Sequence, residues 1–148
     1  GTYRGNTVKI PGYIHHGYRP PTPFVAAAIF LRQLDIRGSV PLLLDTGSSN
    51  TMILWEDVER LGIDISKMEP EREFSGLGGL ISAKPMAATT SFGSEKEGLV
   101  EEDIEVYIVT STCPHPKLKV LPSILGRDTI NKYTLNYSYS AGEISLEK

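Results

Sequence analysis

The residues with the most chemical content are Leu42-Leu43-Leu44-Asp45-Thr46-Gly47-Ser48-Ser49-Asn50, where a carboxylate ends an apolar run and is followed by hydroxyls and a glycine. Three leucines set Asp45 at the edge of a core, Gly47 lets the backbone turn tightly, and neighbouring amides and hydroxyls can hydrogen-bond the acid. Packing alone gives no reason to end a buried strand in this way. A carboxylate so held can exchange a proton with a water, although the same residues also suit a plain Asx-type turn begun by Asp45. A second segment, 75–81, places Gly76, Leu77, Gly78 and Gly79 between strand-like stretches, which suits either a mobile hairpin tip that approaches a ligand closely or an ordinary glycine-rich turn. A third, 124–130, runs from a buried strand through Gly126 into a short helix carrying Arg127 and Asp128. Taken alone it reads as structural.

The elements that must position these residues are short. Apolar segments at 24–31, 40–44, 51–54, 80–92, 104–110, 120–125 and 134–137, punctuated by Gly, Pro and Ser, predict a mostly β domain. Helical spacing is confined to 56–61, with Val58 and Leu61 on one face and Glu56 paired with Arg60, and to 127–133. The polar stretch 93–98 reads as a hairpin loop, and no internal repeat is visible. Residues 1–23 read as an N-terminal extension with an edge strand and a proline-rich linker, and 24–148 as a single domain.

In their order along the chain, the three segments resemble the retropepsins: an Asp-Thr-Gly active-site loop, a glycine-rich flap, and the Gly-Arg-Asp/Asn turn that opens the terminal helix. The resemblance runs from about Phe24 to about Tyr137 and implies an all-β, retropepsin-like acid protease barrel with a short C-terminal helix. It implies Asp45, Thr46 and Gly47 as the catalytic loop, Gly76, Leu77, Gly78 and Gly79 as a substrate-binding flap, and Ser48, Gly126, Arg127 and Asp128 as structural support. Residues 133–137 stand where the family has its C-terminal dimerisation strand. Two departures stand out. Viral members carry alanine where this chain has Ser48, whereas Asp45-Thr-Gly-Ser-Ser-Asn50 looks like the loop of pepsin-type enzymes. The viral family also pairs the arginine of the terminal turn with an aspartate four positions after the catalytic one, a place held here by Ser49, so Arg127 needs another partner. A serine at 48 is expected to donate toward the Asp45 carboxylate and favour its charged form.

Peptide hydrolysis of this kind needs two carboxylates around one water, and the chain has one Asp-Thr-Gly. Asp128, at a helix start where the dipole favours an acid, is expected to be structural. The second carboxylate is therefore expected from a second copy across a two-fold axis, giving a homodimeric endopeptidase for extended polypeptides. A catalytically idle retropepsin-like dimerisation or peptide-binding module is the alternative, and an unrelated β-barrel interaction domain a third reading.

Other features exclude more than they assign. With 148 residues and a net charge of -3, the chain suits one domain and offers no basic footprint for nucleic acid. The acidic triplet Glu101-Glu102-Asp103 reads as a solvated strand entrance. His15, His16, Cys113 and His115 match no common metal-ligand spacing, so neither metal nor cofactor is expected. Tyr133, Tyr137 and Tyr139 read as core or interface packing, and Trp55 as packing at a helix start. The longest apolar run, 24–31, is far below the roughly 20 residues that cross a bilayer. A lone cysteine and no evident leader favour a cytoplasmic setting, with Gly1 suggesting a trimmed start.

Overall fold

Alternating apolar residues make strands here because each strand can bury one pleat face in a common core while its backbone bonds the neighbouring strands. In the computed structural model, which describes residues 8–76, 79–96 and 98–148, they order as β1 (Lys9–Pro11), β2 (Tyr13–His15), β3 (Thr22–Leu31), β4 (Ile36–Leu44), β5 (Met52–Ile53), α1 (Trp55–Arg60), β6 (Arg72–Gly76), β7 (Gly79–Ser94), β8 (Gly98–Val109), β9 (Ile124–Leu125), α2 (Arg127–Ile130), β10 (Thr134–Ser138) and β11 (Glu143–Glu147). The larger sheet runs β2-β3-β4-β9-β5-β8-β7-β6, and β3 also pairs with β7. That extra pairing closes β3, β4, β9, β5, β8 and β7 into a barrel, with β2 and β6 as free branches. Leu31, Leu42, Ile53, Phe92, Ile108 and Leu125 fill its interior. The all-β barrel with a short C-terminal helix is the fold the motifs imply.

A second sheet, β1-β11-β10, packs Ile10, Ile144 and Leu146 into the same core. The stretch read as extension and linker thus carries two edge strands, β1 beside β11 and β2 beside β3. Two expected elements are shorter than the sequence predicts. Of 120–125 only β9 is a strand, because Pro116 opens a 3-10 turn over Pro116–Val120, capped by the His115 ring accepting from the Lys117 amide at 3.1 Å, and Pro122 has no amide to donate. The helix at 127–133 ends at Ile130, where the chain turns and brings Tyr133 to Glu102. Among the described residues no helix is long and apolar enough to cross a membrane.

The acidic triplet is not a solvated entrance. It lies inside β8, whose alternation sends Glu101 and Asp103 to solvent and turns Glu102 inward, where its side chain is 10% exposed. There it accepts from the Tyr133 hydroxyl and from Lys132 and Lys148 at 3.3 and 3.2 Å, tying the barrel to α2 and the C-terminal strand. Burial alone would raise the Glu102 carboxyl, but these donors outweigh it and hold it below its ordinary value. A depressed carboxyl stabilises the fold above its unfolded pKa, about 4.3, and that contribution disappears as pH falls through the folded value. Glu102→Gln is therefore expected to cost about 1–3 kcal/mol at pH 7 and progressively less below pH 4, read by thermal unfolding across pH. A pH-independent cost would contradict this account.

Candidate active site

The site is built where the β4–β9 ladder runs out. Leu43 donates its amide to the Ser123 carbonyl at 2.9 Å and Asp45 donates to Leu125 at 3.0 Å, so the chain stays extended through the aspartate. Leu42 and Leu44 point into the core while Leu43 and Asp45 share the other face. The backbone then reverses: Gly47 donates to Asp45 Oδ1 at 2.9 Å and Ser48 to the Asp45 carbonyl at 3.2 Å. This is the Asx turn that the residue types allow. It engages one carboxylate oxygen, and Asp45 Oδ2 has no hydrogen-bond partner among the described residues.

The segment 126–128 clamps that loop from behind. Gly126 packs so closely that a Cβ there would lie 2.5 Å from the carbonyl carbon and oxygen of Asn50. Arg127 donates its amide to Ser48 O at 2.8 Å and its guanidinium Nη1 to Thr46 O at 2.7 Å. The missing aspartate partner is thus replaced by a main-chain carbonyl, which accepts one hydrogen bond from the guanidinium. Asp128 accepts from Thr51 N at 2.8 Å and Thr51 Oγ1 at 2.7 Å, and the same hydroxyl accepts from Gly126 N at 3.1 Å. Both Asp128 oxygens are spent on the fully buried Thr51, so this acid serves the loop's foundation. Its role is a contact across the fold more than a helix-dipole effect.

Ser48 departs from expectation. Its hydroxyl donates to the Asn50 carbonyl at 2.8 Å and accepts from the Asn50 amide at 3.3 Å, a local closure that turns it away from the Asp45 carboxylate. Ser49 donates to Asn50 Oδ1 at 3.1 Å. Beneath the loop, a network not evident in the sequence fixes α1: Ser123 donates to Asp57 at 2.6 Å and accepts from Leu54 N, while Arg60 pairs with Asp57 at 2.7 Å. Trp55 is buried and donates its indole N–H to Ser111 O at 2.9 Å.

The remaining candidates lie elsewhere. Strands β6 and β7 pair out to Gly76 opposite Gly79, whereas Leu77 and Gly78 lie outside the described residues. His15 accepts from Gly17 N and stands against Phe24, and Cys113 donates to the His115 carbonyl. Among the described residues no three His, Cys, Asp or Glu side chains gather as a metal site. Tyr137 and Tyr139 are about half exposed near the C-terminal sheet.

Comparison with known proteins agrees with this geometry. A family model described as Aspartyl protease matches residues 34–129, about two thirds of the chain, which includes both the Asp45 loop and the Gly126–Asp128 clamp. No curated protein matches the sequence. Among solved structures, a retropepsin-like aspartic protease from Rickettsia conorii is similar in fold over 99% of this chain and 96% of its own, with a TM-score of 0.60 and 15% identity. The EIAV protease complexed with the inhibitor HBY-793 matches over 75% of this chain and 86% of its own, with a TM-score of 0.45 and 19% identity. With the family match spanning the loop and its clamp, this protein belongs to the aspartyl protease family, and its fold is retropepsin-like.

Proposed function

We propose that this chain is one half of an aspartic endopeptidase, active as a homodimer in which two Asp45 carboxylates flank one water. The observation that carries the reading is Asp45 itself: a carboxylate set at the rim of a barrel by an extended strand, clamped from behind, with one oxygen free of any partner among the described residues. Asp128, the other acid of the motif segments, is occupied by Thr51, so the second carboxylate comes from a second copy. A two-fold axis beside the loops brings identical acids together, and like charges in contact leave one of the pair neutral. The ionised carboxylate takes a proton from the water as it attacks the peptide carbonyl, and the neutral one donates to the carbonyl oxygen. Thr46 and Gly47 hold the two loops at the axis. Gly76, Leu77, Gly78 and Gly79 act as a flap whose backbone hydrogen-bonds an extended peptide and excludes water.

Strand β10 is an edge of the C-terminal sheet and bears the half-exposed Tyr137, which supports its place in the dimer interface. Digestion of a peptide library tests the reading. Cleavage is expected to be blocked by statine-type compounds, whose hydroxyl takes the place of the attacking water, and to persist with chelators and with serine or thiol reagents. Chelator-sensitive cleavage would contradict the mechanism. Specific activity is expected to fall on dilution in step with dissociation measured by sedimentation, and a fully active monomer would refute the shared site.

A further inference from the structure

An aromatic recess of about 160 Å³ lies on the same sheet face as Asp45, one row along the barrel. Tyr13 on β2 stands opposite Phe24 on β3, Phe24 opposite Leu43 on β4, and Leu43 beside Ile124 on β9. Asp45 follows Leu43 by two residues on this face and Pro41 precedes it by two, placing Pro41 about 13 Å from Asp45 along an extended strand. Phe24 forms the floor, buried under the rings of Tyr13 and Tyr18 at centroid distances of 5.8 and 5.4 Å. Pro41 and Pro122 also line it, and Val120, 65% exposed, stands at the rim.

Two carboxylates, Glu56 and Asp57, line this recess together with the His15 ring. Asp57 is spent on Arg60 and Ser123, and Lys119, held charged by Glu59 first and also by Glu56, makes its ion pair with Glu59 at 2.6 Å. That leaves Glu56 lining the recess without an ion pair among the described residues. Its field reaches Tyr18, whose hydroxyl titrates above its ordinary value, first through burial and then through Glu56 and Asp57. Aromatic faces beside an unpaired carboxylate form a place for a cation on an apolar stem.

We infer that the Tyr13, Tyr18 and Glu56 recess is a specificity pocket that takes an arginine or lysine side chain of the polypeptide bound at Asp45. The inference rests on the peptidase reading for its place in catalysis. At about 3.3 Å per residue, the pocket meets a residue three or four positions from the bond that is cut, and a two-fold dimer repeats the preference on the other side.

The test uses full-length Asp45→Asn protein and decapeptides through which a single arginine is walked, each paired with its citrulline counterpart, the neutral isostere. At one or two positions arginine is expected to bind about tenfold more tightly than citrulline, and Glu56→Gln to abolish the difference. Equal binding of the two at every position, no binding of any peptide, or a difference that survives Glu56→Gln would overturn the inference. Cleavage of the same peptides by the wild-type protein is read separately. Arginine-dependent binding without cleavage would remove the peptidase reading and leave the pocket standing.

Discussion

Asp45→Asn is expected to lower peptide cleavage by about 10⁴-fold or more while leaving the chain folded and dimeric. The size follows from symmetry: in a homodimer one substitution removes the general base and the general acid together, each worth about 10² to 10⁴ in rate. The fold is spared because asparagine keeps a side-chain oxygen at the position of Oδ1, able to accept the Gly47 amide that closes the turn. No buried partner of Asp45 is stranded, since its second oxygen has none among the described residues. Steady-state kinetics beside circular dichroism and sedimentation reads the outcome. A variant that retains full activity would end the proposed chemistry, and one that loses activity by unfolding would show Asp45 to be structural.

Gly126→Ala is expected to have the second largest effect, acting through position. A methyl group at 126 would meet the Asn50 nitrogen at 2.8 Å and its carbonyl carbon and oxygen at 2.5 Å, and backbone cannot rotate aside as a side chain does. The loop must move away from the clamp, stretching the Arg127 bonds to Thr46 and Ser48 and the Thr51 bond to the Gly126 amide. Overpacking of this kind costs about 1–3 kcal/mol, and a displacement of about 1 Å at a catalytic group costs about 10²-fold in rate. Thermal unfolding and kcat, measured together above the dissociation concentration, are expected to fall in those proportions. Unchanged kcat would show that the clamp does not set the position of Asp45.

The mostly β character was legible because it rests on local rules, whereas the barrel and the meeting of the two motif segments came from the resemblance to the retropepsins. A short run of leucines ending in Asp-Thr-Gly suits a strand leading to a turn, and the glycine before Arg127 suits close backbone approach. What escaped was decided by contacts distant in sequence. Thr51 and Asp128 lie 77 residues apart, and nothing within either segment says that they bond. Glu102 looks solvated among its acidic neighbours until β8 alternation turns it toward Tyr133. The Ser48 hydroxyl was expected to face Asp45, but it bonds the local carbonyl of Asn50. Strand β11 is short and carries two glutamates, so its burial between β1 and β10 follows from topology more than from composition. Likewise, the aromatics of 13–18 read as linker because their partner, Phe24, belongs to the next strand.

The claim that two copies each supply one acid is tested most directly by subunit mixing. Wild-type and Asp45→Asn protein are combined at fixed total concentration, allowed to exchange, and assayed for peptide cleavage as the wild-type fraction is varied. A site shared across the axis makes heterodimers inactive, so activity follows the square of that fraction and falls to about one quarter in an equal mixture. Activity proportional to the wild-type fraction, with about one half remaining in the equal mixture, would show that each chain carries a complete site and would contradict the account.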